Sequence, residues 1–131
     1  MKIFLDANIL FTAAHNPAGK SHFLIKSTPS LCCTCTLALE EARKNLELKA
    51  PECLKELERI SHEITVVPTR MAGDEGGELP KKDKAILRTA ESCKATHLLT
   101  GDLKHFGPLM GMPDKAHGIK VMTVGEFLES I

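Results

Sequence analysis

Five short apolar runs, near residues 2–5, 31–34, 64–67, 97–100 and 119–122, are separated by stretches long enough to hold helices. Runs this short and this continuously apolar read as strands buried on both faces, as in a parallel sheet. Parallel neighbours need crossover connections, and helices between them supply these. The spacing therefore predicts an α/β chain: a three-layer α/β/α sandwich around a central parallel sheet of about five strands. At 131 residues the chain fits one domain spanning 1–131. In such folds sites form beyond the carboxyl ends of the strands, so residues just past each run deserve the closest reading.

The intervening segments carry helix signals. Residues 9–14 read as a helix stopped by Asn16, Pro17 and Gly19, and Ser21 caps another over 22–26. Thr36 caps a long helix to Lys49, and Pro51 opens one running to about His62. Residues 82–95 form a helix with Ile86, Leu87, Ala90 and Cys93 along one face, and 126–130 closes the chain. Residues 69–80 read as a loop, and glycines and prolines at 107, 108, 111 and 113 mark another.

Charge and composition remove several function classes. Seventeen basic residues balance seventeen acidic ones, so a basic surface for nucleic acid has to be local. Hydrophobic residues at 43 % and charged residues at 26 % match a soluble globular protein, and no apolar run reaches the ~18 residues of a membrane span. The opening segment meets Asp6 after three apolar residues, unlike a secretion signal, and the expected location is the cytoplasm. Five cysteines cannot all pair within the chain, in keeping with reduced thiols there. Cys32, Cys33 and Cys35 suggest zinc, but no separated second ligand pair accompanies them, and their apolar setting favours buried thiols. Cys53 and Cys93 read the same way, on apolar helix faces.

The acids carry the functional signal. Of five aspartates, Asp6 and Asp102 each follow a predicted strand; either alone reads first as a turn or cap residue, and it is their joint placement that points to a site. Asp83 shares the phase of Ile86, Leu87 and Ala90, which puts a carboxylate on the inward stripe of its helix. At ~100° per residue, Leu39, Ala42 and Leu46 centre the apolar face of the 36–49 helix. Glu40 then points to solvent, in reach of Lys44, while Glu41 lies at the buried margin with Asn45 one turn on to orient it. Four inward carboxylates repel one another unless their pKa values rise or a cation neutralises them. Oxygen ligands suit Mg²⁺ or Mn²⁺ better than zinc, and such a cluster can activate water against a phosphodiester.

Asp6-Ala-Asn8, the helix stretch from Glu41 to Asn45, Lys82-Asp83-Lys84, Thr100-Gly101-Asp102 and the closing 119–128 segment together resemble the PIN domain, in order and over essentially the whole chain. No one of these motifs is specific; the ordered set is. The resemblance implies a metal-dependent ribonuclease with strand order 3-2-1-4-5, in which Asp6, Glu41, Asp83 and Asp102 form the acidic quartet that holds Mg²⁺ or Mn²⁺. Asn8 and Thr100 match polar positions that orient the pocket. Many small relatives are VapC-type toxins, often homodimeric and inhibited by a small antitoxin protein, whereas others process RNA. Relatives often carry a further acid after the position of Asp102, where this chain has Lys104-His105-Phe106. That departure counts against a tightly held second metal. Lys82, flanked by Lys81 and Lys84, and also Lys104 and His105, are candidates for RNA contact. His105 is also a candidate for proton transfer; the plainer roles are a solvated lysine for each Lys and a ring packed beside Phe106 for His105.

Two other readings compete. A catalytically inactive PIN-like module would bind RNA or protein without cleaving it. A phosphatase of the haloacid dehalogenase type also places an Asp after its first strand, but it needs a second Asp where Asn8 stands.

Overall fold

The computed structural model describes residues 1–71 and 79–131. Of residues 69–80, expected to be a loop, 72–78 lie outside the described residues. The described elements are, in order, β1 (Ile3–Leu5), α1 (Ala7–His15), α2 (Lys20–Ser27), β2 (Cys32–Cys35), α3 (Thr36–Lys49), α4 (Leu54–Glu63) and β3 (Thr65–Val67). After the undescribed segment come α5 (Lys81–Ser92), β4 (His97–Leu99), α6 (Leu103–Phe106), β5 (Lys120–Met122) and α7 (Val124–Ser130).

The strands form one sheet in the order β3-β2-β1-β4-β5, parallel throughout, with helices flanking it. Central β1 pairs Ile3 with both Cys32 and His97 and is fully buried, as its uninterrupted Ile-Phe-Leu run requires. The edges are more polar, with Thr65 exposed on β3 and Lys120 exposed on β5. α1 packs against α2, α3 and α4, and α5 lies against β2. Phe4, Phe106 and Phe127 are among the largest fully buried side chains. Truncating any of them to Ala costs about 3–5 kcal/mol.

Several boundaries differ from the sequence expectation for local reasons. α1 begins at Ala7, not Ile9, because Asp6 itself caps it by accepting the Ala7 N–H. Thr36 is inside α3 and does not cap it; the Leu37 N–H finds Thr69 Oγ1 at 2.8 Å, and the Thr36 hydroxyl lies 3.0 Å from that same oxygen. α5 ends at Ser92 because Lys94 turns left-handed (φ 60°), short of residue 95. Residues 103–106, expected to lie in a loop, form α6. α7 starts at Val124, earlier than 126, through a capping box in which Thr123 and Glu126 exchange side-chain and backbone bonds.

All five cysteines are free. Cys32, Cys33 and Cys35 are buried as expected, and burial pushes the Cys32 thiol up to about 11 and the Cys33 thiol up to about 12. Burial thus favours the neutral thiol at Cys32 and Cys33. Cys53 and Cys93 are only half-buried and stand at helix ends, so their expected burial on helix faces is corrected.

Candidate active site

β1 and β4 lie side by side, and their carboxyl ends release two acids at one place. Asp6 follows β1 and is 3 % exposed. One of its oxygens accepts the Ala7 N–H at 2.8 Å; the other accepts the Thr100 hydroxyl at 2.8 Å and the Asn8 amide at 3.1 Å. Thr100 follows β4, and its oxygen also accepts the Asp102 N–H at 3.0 Å. Asn8 completes the tie, because its carbonyl accepts the Gly101 N–H at 2.6 Å. A Cβ at Gly101 would stand 3.3 Å from that carbonyl oxygen, so glycine permits the close approach.

The other two acids come from helices. Asp83, in the first turn of α5, is 4 % exposed, in keeping with its inward phase. Glu41 on α3 is half-buried and ion-paired with Lys82. Asp6, Glu41, Asp83 and Asp102 all line one open cleft of about 330 Å³, together with Asn8, Asn45 and Lys82. Asp102 caps α6, where one oxygen accepts the His105 N–H at 3.1 Å and the other pairs with His105 Nδ1 at 2.8 Å. The same Nδ1 lies 3.5 Å from Asp83. Ligand atoms of Asp83, Asp102 and His105 all fall within 4.8 Å of one another, close enough to share a metal ion.

Comparison by sequence with family profiles and with curated proteins gives no match. Comparison by fold does. A DNA-bound VapBC complex from Salmonella typhimurium superposes with a TM-score of 0.70 at 17 % identity, covering 95 % of this chain and 98 % of that one. VapBC2 from Rickettsia felis, bound to a promoter DNA fragment, gives 0.66 at 13 % identity, with 92 % and 97 % covered. Mycobacterium tuberculosis VapC20, a toxin that cleaves the sarcin–ricin loop, gives 0.61 at 14 % identity, with 82 % and 95 % covered. The chain has the PIN-domain fold.

Within this PIN fold the electrostatics of the cleft are uneven. Burial raises the Asp6 pKa; its bonds from Thr100 and Ala7 offset this in part, and Glu41 adds to it. Burial also raises that of Asp83, reinforced by the charge of Asp6. Asp102 differs: burial works against its charge, but the hydrogen bonds from His105 prevail and hold it below the usual carboxylate range. At Lys82, burial opposes the ammonium, yet Glu41 keeps its pKa above the ordinary value.

The supporting residues expected from sequence fall in different places. Asn45 lines the cleft, but the hydrogen bond that Glu41 makes runs to Lys82, so among the described residues no bond supports the expected orienting role of Asn45. Glu40 is exposed as expected but pairs with Arg43 at 2.5 Å, at i+3, and not with Lys44 at i+4. Lys104 is exposed and does not line the cleft. His105 stands against the acids, so its neighbours are carboxylates and the cluster is not purely oxygen-lined. Phe11, Thr12 and Lys49 also line the cleft and went unread in the sequence. Lys49 was legible in principle: it continues the stripe of Glu41 and Asn45 at steps of four.

Proposed function

We propose that the chain is a Mg²⁺- or Mn²⁺-dependent endoribonuclease that hydrolyses RNA phosphodiesters, with Asp6, Glu41, Asp83 and Asp102 as its catalytic, metal-holding carboxylates. The observation that carries this reading is that four acids from separate parts of the chain line one cleft, two of them buried with raised pKa values. Asp83 and Asp102 offer hard oxygen donors with His105 beside them, a donor set that fits Mn²⁺ or Mg²⁺. When bound, such an ion lowers the pKa of water and neutralises charge on the phosphate.

The chain's own residues supply orientation. Thr100, Asn8 and the Ala7 N–H hold the Asp6 carboxylate in one pose. His105, with its proton on Nδ1, donates to Asp102 and leaves Nε2 able to accept a proton from solvent or substrate. Lys82 balances Glu41 in the wall of the cleft.

The fold shared with VapC and VapBC proteins supports a toxin role with a small antitoxin as partner; a homodimeric assembly follows from the PIN resemblance, and a cytoplasmic location from the opening segment's unlikeness to a secretion signal. Among the described residues no helix is long and apolar enough to cross a membrane. The deciding experiment incubates purified protein with several RNAs, with and without Mn²⁺, beside an Asp102→Asn control. Cleavage that needs both metal and Asp102 supports the nuclease; RNA binding without cleavage at any metal concentration selects the inactive module. Growth arrest on expression, relieved by a co-expressed small partner, separates toxin from RNA-processing enzyme.

A further inference from the structure

The cleft is not acidic throughout. Away from the carboxylates its wall is formed by Phe11 and Thr12 of α1 and by Lys49 at the end of α3. Lys49 and Glu41 are eight residues apart on one helix, about 12 Å along the axis at ~1.5 Å per residue. Of the two lysines lining the cleft, Lys82 is ion-paired with Glu41. Lys49 has no carboxylate partner among the described residues; its ammonium instead sits 5.7 Å from the Phe11 ring centroid. That ring is itself stacked on His15, with centroids 5.5 Å apart and planes 20° from parallel.

An uncompensated cation at one end of an anionic cleft is where a polyanionic strand gains attraction, and zero net charge leaves the chain no global substitute. A ring beneath the ammonium restrains it without neutralising it. Resting on the nuclease reading above, we propose that Lys49 binds a backbone phosphate of the RNA strand a few nucleotides from the scissile bond, and that Phe11 is the positioning residue that aims it.

The test is equilibrium binding of a labelled single-stranded oligoribonucleotide to the full chain, with EDTA present to stop metal-dependent cleavage, over a salt series. Lys49→Ala is expected to raise Kd about fivefold to tenfold at low salt and to flatten the log–log salt dependence by about 0.7, the value of one lost phosphate contact on a single strand. Lys49→Arg restores both. Phe11→Leu weakens binding when Lys49 is present and has no further effect in the Lys49→Ala background, a non-additivity that a merely structural Phe11 would not produce. Unchanged Kd and salt slope in Lys49→Ala, in a protein whose cleavage with Mn²⁺ is intact, overturn the subsite and leave the nuclease standing. Lys49-dependent binding in a protein that cleaves nothing with any metal keeps the phosphate site and removes the nuclease.

Discussion

The cleft and the ion network between α2 and α4 both gather charged side chains, and they treat them in opposite ways. In the network, Glu56 accepts from Arg59 at 2.5 and 2.9 Å and meets His22 Nε2 at 2.7 Å, while Arg59 also reaches Glu63 at 2.6 Å. The Arg59 bonds, helped by His22, outweigh burial and bring Glu56 down to about 2. In the cleft, Asp6 and Asp83 are more deeply buried, lie beside other acids, and are pushed up. An anion placed among cations serves the fold; anions placed together weaken the fold until something positive arrives.

The sharpest way to break this contrast is to remove a cleft charge and read activity. Asp102→Asn should lower RNA cleavage by about 10²-fold or more in a fluorogenic assay, with the far-ultraviolet circular dichroism unchanged. Glu41→Gln should fall in the same class while Glu40→Gln stays within twofold of wild type, because Glu40 is engaged with Arg43 outside the cleft. Equal losses for the two glutamates would remove Glu41 from the site.

A smaller effect sharpens the stability side. The folded pKa of Asp83 lies above its unfolded value of 3.8, so its contribution is fully present below pH 3.8 and is lost as pH rises through the folded value. At neutral pH the ionised group therefore costs stability, and Asp83→Asn should raise the metal-free Tm, by roughly 4 °C for each kcal/mol relieved. Mn²⁺ should raise the wild-type Tm and do so less in this variant, measured by scanning calorimetry.

Glu56 has the opposite sign. Its folded pKa of about 2 is below the reference 4.5, so its contribution is complete above pH 4.5 and disappears as pH falls towards 2. Glu56→Gln should make acid unfolding shallower across that window. The loss at pH 7 should be only about 1 kcal/mol or less, since Arg59 is 43 % exposed and solvent screens the pair.

Long-range order was legible because it rests on strong signals. Continuous apolar runs located all five strands to within a residue or two, and helical phase separated Glu40 from Glu41 and turned Asp83 inward. Short-range details were not. α6 is four residues long, too short for any period to show, so His105 could not be seen to curl back on Asp102. The acceptor for the first turn of α3 is Thr69, more than thirty residues away, and Thr36 beside that turn drew attention from it. The Thr123–Glu126 capping box carries its own spacing signature, which places the start of α7 at Val124.

The Thr100 hydroxyl touches Asp6, Asn8 and the backbone of Asp102 through one oxygen atom. Two acids 96 positions apart in the chain thus share a common vertex, a single hydroxyl that adds a side-chain joint to the backbone pairing of β1 and β4. Thr100→Val would preserve the shape of that corner and delete only the joint. The strands would stay paired and Asn8 would still bridge Asp6 to Gly101, while Asp6 lost one donor and the Asp102 N–H lost its acceptor.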